Sequence, residues 1–122
     1  MSESKKVNVL GTVYTIRVRK YDEDEAFERD RIDGYCDGNT KEIVICDLMT
    51  HKLYENDSAE SRREGQKAVL RHEIVHAFVE ESGLSGCSLR YDGSWAKNEE
   101  MIDWFALQGP KIYAAWQEAG AL

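Results

Sequence analysis

Several things are scarce in this chain of 122 residues. It has one proline, Pro110, and three cysteines, Cys36, Cys46 and Cys87. An odd cysteine count with no C-x-x-C spacing excludes a disulfide framework and a paired-thiolate metal site. It fits a reduced, cytoplasmic protein. Positive charge is also short: 16 Lys and Arg stand against 23 Asp and Glu, a net charge of −7. The basic clusters, Lys5-Lys6, Arg17 to Lys20 and Arg62-Arg63, are brief and read as solvated surface. Binding a phosphate backbone needs a concentrated positive surface, so nucleic acid is excluded as the main partner. No run approaches the roughly 18 apolar residues of a membrane span. The opening Met-Ser-Glu-Ser-Lys-Lys lacks the apolar core of a secretory signal. The expectation is a cytoplasmic chain with no membrane partner. There is no internal repeat and no Pro- or Ser-rich linker, and the length fits one domain over residues 1–122.

The first third reads as strand. Val7 and Val9 alternate with polar neighbours, and after a turn at Gly11-Thr12 the run Val13 to Arg19 puts Tyr14, Ile16 and Val18 on one face. The acidic stretch Asp22 to Glu28 is a loop or one short helix. Gly34 to Thr40 leads into Glu42-Ile43-Val44-Ile45-Cys46, a second hairpin turning near Gly38-Asn39. Cys36 and Cys46 flank it and could face each other, although small buried thiols are the simpler expectation. From Ser58 the period changes to that of a helix: Val69, Leu70, Ile74, Ala77 and Phe78 recur at three- and four-residue spacing as far as Gly83. A Gly- and Ser-rich loop from Leu84 to Ser94 follows. A second helix over Ala96 to Gln108 carries a stripe of Met101, Ile102, Phe105 and Ala106. Gly109-Pro110 breaks it, and Lys111 to Ala119 forms a short third helix anchored by Tyr113 and Trp116. Strands followed by helices predict an α+β domain with an antiparallel or mixed sheet of about four strands.

Inside the first helix stands His72-Glu73-Ile74-Val75-His76, the H-E-x-x-H pattern. Residues four apart share a helix face, so two imidazoles can hold one zinc ion. Glu73, about 100° around the helix from His72, can reach a water on the metal without being a ligand. With three His and fourteen Glu in the chain, shuffling would produce the pattern in roughly one shuffle in 200, so chance is a weak competitor. A hydrolytic zinc site uses three protein ligands and an open position. Asn98-Glu99-Glu100-Met101-Ile102-Asp103 offers the third. Glu99 and Asp103 are four apart, which permits Glu99 to bind zinc while Asp103 accepts a hydrogen bond from a liganding imidazole and fixes its tautomer. Glu100 is the alternative ligand. His51, ahead of the helix, and Cys87, behind it, are weaker ones, since a free cysteine is more often simply buried.

These two segments resemble the gluzincin metallopeptidases. They look most like the smallest single-domain members, the minigluzincins, and the related domain of the ImmA/IrrE-type peptidases of phages and mobile elements. The shared parts are Leu70 to Ala77, the zinc helix, and Asn98 to Ala106, which is similar to the family's glutamate helix. The match covers about a quarter of the chain. The resemblance implies a zincin-like fold, Glu99 as third ligand, Asp103 and Asn98 as outer support with Asp103 on His72, and Glu42 to Cys46 as the edge strand on the cleft's upper rim, pairing with substrate backbone. The chain departs from the ImmA/IrrE group in having no helix-turn-helix domain and in having Ile74 after Glu73.

The expected function is zinc-dependent hydrolysis of peptide bonds in a peptide or protein substrate, with Glu73 as general base. His51, Tyr91 and Tyr113 are unranked candidates for stabilising the oxyanion. A rival from another class is a non-catalytic or latent zinc protein that clamps a partner segment. A third is a structural zinc site, which needs four protein ligands and gives Glu73 no task.

Overall fold

The computed structural model describes residues 4–87 and 99–122. Four strands come first: β1 (Lys5–Val9), β2 (Thr12–Lys20), β3 (Gly34–Asp37) and β4 (Glu42–Asp47). Between β2 and β3 the acidic stretch forms a 3-10 turn at Tyr21–Glu23 and a one-turn helix, α1 (Ala26–Arg29). Two further 3-10 turns, Leu48–Thr50 and Lys52–Tyr54, lead to α2 (Ala59–Glu81), which is followed by α3 (Leu84–Cys87) and α4 (Glu99–Ala119). The architecture is α+β, a four-stranded mixed sheet followed by helices, as the pattern predicts.

The sheet order is β1-β2-β4-β3. β1 and β3 each run antiparallel to their neighbours, whereas β2 and β4 are parallel, with Ile16 opposite Ile43 and Val18 opposite Ile45. β4 is therefore an interior strand, not the rim expected of it; β3 holds the edge on that side. The composition of β4 explains this. Ile43 and Ile45 join the core beneath α2 and α4, while Val44 and Cys46 join a second cluster with Phe27 and Leu48 on the opposite face. A continuous apolar run of this kind suits a strand covered on both sides. Cys36 and Cys46 consequently sit on opposite faces, and both are free.

α2 starts at Ser58, whose hydroxyl accepts from the Ser61 amide at 3.0 Å, satisfying one of the orphan amides of a helix start. It stops at Ser82, followed by Gly83 at φ +83°, a left-handed position where glycine avoids a Cβ clash. Its inward face is Leu70, Glu73, Ile74, Ala77 and Phe78; burying each large apolar member contributes roughly 1.5–3 kcal/mol.

The expected break at Gly109-Pro110 is absent. α4 is one helix of 21 residues with Pro110 inside it. Pro110 is exposed, and continuity lets Ile112, Ala115 and Ala119 line up against the core. Tyr113, an expected anchor, is instead exposed at 52%, as is Phe105 at 43%. Both lie off the inward stripe of the continuous helix. Trp116 does pack on the core. α4 runs back along α2: Trp104 Nε1 donates to Ser82 Oγ at 3.3 Å and Trp116 Nε1 to the Arg71 carbonyl at 3.3 Å. Among the described residues, no helix is long and apolar enough to cross a membrane.

Candidate metal centre

The site is built on the fourth and fifth turns of α2. His72 and His76 project from the exposed side of the helix, one turn apart, and Glu73 turns inward and is 6% exposed. The Nε2 atoms of the two imidazoles lie 3.1 Å apart with the rings nearly edge-on to each other. Two nitrogens bound tetrahedrally at zinc distances are about 3.3 Å apart, so the pair already has close to the spacing that one ion requires. The ligand-capable atoms of His72, Glu73 and His76 all fall within 4.8 Å of one another. Two imidazoles one helical turn apart suit zinc, and the Glu73 carboxylate stands beside them.

The electrostatics of Glu73 and His76 differ in sign. Burial pushes the Glu73 carboxyl above its ordinary value, and His72 partly opposes the shift. Burial and the neighbouring His72 push His76 down, against a smaller upward pull from Glu80. A lowered value keeps the His76 imidazole neutral and its lone pair free, the form that ligates metal. A carboxylate raised by burial is a suitable proton acceptor.

The cleft beside the helix is a cavity of about 370 Å³ bounded by Val69, His72 and Glu73 from α2 and by Ile32, Asp33 and Gly34 from the edge strand and its approach. β3 can come this close because residue 34 is glycine. A Cβ there would stand 2.8 Å from Val69 Cγ1 and 3.0 Å from the Val44 carbonyl, inside contact distance. A larger cavity of about 600 Å³, floored by Ile16, Val18, Ile45 and Leu70, lies elsewhere along α2 and contains no histidine.

No family model, curated protein or solved structure matches this chain.

His72, Glu73 and His76 are thus brought together. Among the described residues neither Glu100 nor Asp103 belongs to that group; both are exposed on α4. Asn98, Tyr91 and the side chains of Glu99 and Cys87 lie outside the described residues. His51 is not at the metal group: its ring packs against Tyr21 and Tyr54, its Nδ1 accepts from the Leu53 amide at 3.1 Å, and its Nε2 faces Asp33 at 3.7 Å. Asp33 and Gly34, which border the cleft, were not singled out by the sequence. Their dipeptide reads as a turn, and only the non-local packing of β3 on α2 gives it a place at the site.

Proposed function

We propose that this chain is a zinc-dependent peptidase of the gluzincin type, with a zincin-like fold. The observation that carries the reading is the 3.1 Å approach of the His72 and His76 Nε2 atoms beside the buried carboxylate of Glu73. His72, His76 and Glu99 hold the metal, and Asp103 and Asn98 support them from α4 and the segment before it. Zinc at this position supplies a Lewis acid for the scissile carbonyl and acidifies a water. Glu73 takes a proton from the attacking water as its oxygen bonds to the carbonyl carbon. It then delivers that proton to the departing amine as the C–N bond breaks. The substrate backbone pairs with the edge of β3 that no described strand occupies, beside the same cavity.

The test is Glu73→Gln. The variant is expected to bind one zinc per chain as the parent does, and to lose peptide cleavage by roughly 10²–10⁴-fold. Undiminished cleavage with zinc retained would remove Glu73 from its role. Tight zinc binding by the parent chain without cleavage of any member of a peptide library would replace the enzyme by a clamp that only binds. The third ligand is read separately from the metal content of Glu99→Ala and Glu100→Ala, of which Glu99→Ala is expected to lose zinc.

A further inference from the structure

One carboxylate at the cleft has no task in the chemistry just described. Asp33 lines the same cavity as His72 and Glu73. It is held in place: its Oδ2 accepts from the Tyr54 hydroxyl at 2.7 Å, and its main-chain oxygen accepts from the Cys46 amide at 2.8 Å. Among the described residues its Oδ1 has only the 3.7 Å contact with His51 Nε2. Because His51 Nδ1 accepts from the Leu53 amide, that Nε2 carries the ring's proton in the neutral form, and 3.7 Å is too long for a hydrogen bond. Oδ1 is therefore a positioned acceptor with unused capacity, on a side chain 28% exposed.

The surroundings set the sign of what it would take. No Lys or Arg among the described residues forms an ion pair with Asp33, and none lines the cavity it shares with His72. Arg62 lines an adjoining smaller cavity together with Asp33 and Asp57, but among the described residues its guanidinium makes no ion pair with Asp33, and its Nε has no hydrogen-bond partner. A fixed carboxylate with a free oxygen recognises a cationic donor best, since charge-assisted hydrogen bonds are the strong ones. The apolar walls, Ile32 and Val69, fit the methylene stem of a long basic side chain. The chain's net charge of −7 draws the same kind of ligand from a distance.

We infer that Asp33 is the specificity-determining residue of this cleft, and that it selects a peptide with a Lys or Arg side chain at one fixed position beside the scissile bond. This rests on the peptidase reading and adds to it the class of substrate. Tyr54 acts as a positioning residue, fixing the carboxylate through its hydroxyl.

The probe is a library of N-acetylated octapeptides, so that side chains alone supply positive charge. Zinc-loaded protein is expected to cut peptides with Lys or Arg at that position roughly tenfold faster, by kcat/KM, than the matched Glu peptides. Asp33→Asn keeps an acceptor for the Tyr54 hydroxyl and should reduce the ratio toward one. Asp33→Lys should reverse it. Cleavage with no charge preference, or one unchanged in Asp33→Lys, overturns the inference and leaves the peptidase reading standing. If nothing is cut, the peptidase reading fails, and the subsite is judged by binding. The same library is then equilibrated with zinc-loaded Glu73→Gln protein. Enrichment of Lys and Arg peptides that disappears in the Glu73→Gln, Asp33→Asn double variant supports the subsite; equal retention of basic and acidic peptides overturns it.

Discussion

Asp24 shows how a single side chain is fixed against its own burial. Burial favours its neutral form, but the Tyr35 hydroxyl at 2.6 Å, the Ala26 amide at 3.1 Å and Arg19 at 2.8 Å outweigh that and hold its carboxyl below the usual carboxylate range. These three bonds tie β2, the start of α1 and β3 together. Asp24→Asn should cost about 1–3 kcal/mol, because a charge-assisted pair is lost while the Tyr35 and Arg19 donors stay half-buried. The sign of the pH dependence follows from the depressed value. The carboxylate's stabilisation is fully present above the unfolded-state value, about pH 4, and is lost as pH falls through the lower folded-state value. Urea titrations of both proteins should therefore show a gap that is constant near neutrality and closes in acid. A gap that widens as pH falls would contradict the assignment. At the candidate metal site, the sequence is most legible where spacing alone fixes geometry. His72 and His76 must share a face if the segment is helical, whereas no local rule could show that Asp33, some 40 positions earlier, borders the same cleft.

Among the elements, α4 is where local preference and tertiary packing disagree. Gly109-Pro110 is a strong helix-breaking pair in sequence, since proline removes a backbone donor and crowds the preceding turn. The helix nevertheless runs through it, with Pro110 exposed and Ile112, Ala115 and Ala119 buried beyond it. Gly109 does not have positive φ, and a Cβ there meets nothing within 4 Å. Gly109→Ala is accordingly expected to stabilise the protein by about 0.5–1 kcal/mol, the ordinary gain for that exchange in a helix interior. If the chain broke there into two helices with a left-handed glycine between them, the same substitution would destabilise, so the sign of the change in thermal midpoint decides. The other difference, β4 inside the sheet and not at its rim, concerns a placement that the gluzincin resemblance implied and local pattern does not address. Alternation predicts which residues share a face, but the parallel pairing of β2 with β4 spans residues 15–47 and is set by burial on both faces. The antiparallel hairpins β1-β2 and β3-β4, joined by short turns, were legible because turn chemistry and period lie in one local window.

For the molecule as a whole, the position of the histidines keeps the candidate metal site apart from the core. The larger core joins the sheet to α2 and α4 through Tyr14, Ile43, Ile74, Phe78 and Ile112, among others. His72 and His76 are on the exposed side of α2 and contribute nothing to that core. At its far end α2 is tied to the sheet independently of the site, by Glu81, which accepts from the Tyr14 hydroxyl and from Lys41, each at 2.7 Å. A chain of this length buries enough surface to fold without metal, unlike small domains that unfold when their zinc is removed. Chelation with EDTA should therefore leave the far-ultraviolet circular dichroism near room temperature unchanged. The thermal midpoint should nonetheless fall, because a ligand that binds only the folded form stabilises it by RT ln(1 + [L]/Kd), about 4 kcal/mol at a thousandfold excess over Kd. Restoring zinc should restore the midpoint. His72→Ala should fold but show no zinc-dependent shift, while Glu73→Gln should keep the shift in full. Loss of helical signal on chelation would mean that the metal holds the fold together, and a midpoint indifferent to zinc in the parent chain would mean that His72 and His76 hold no ion.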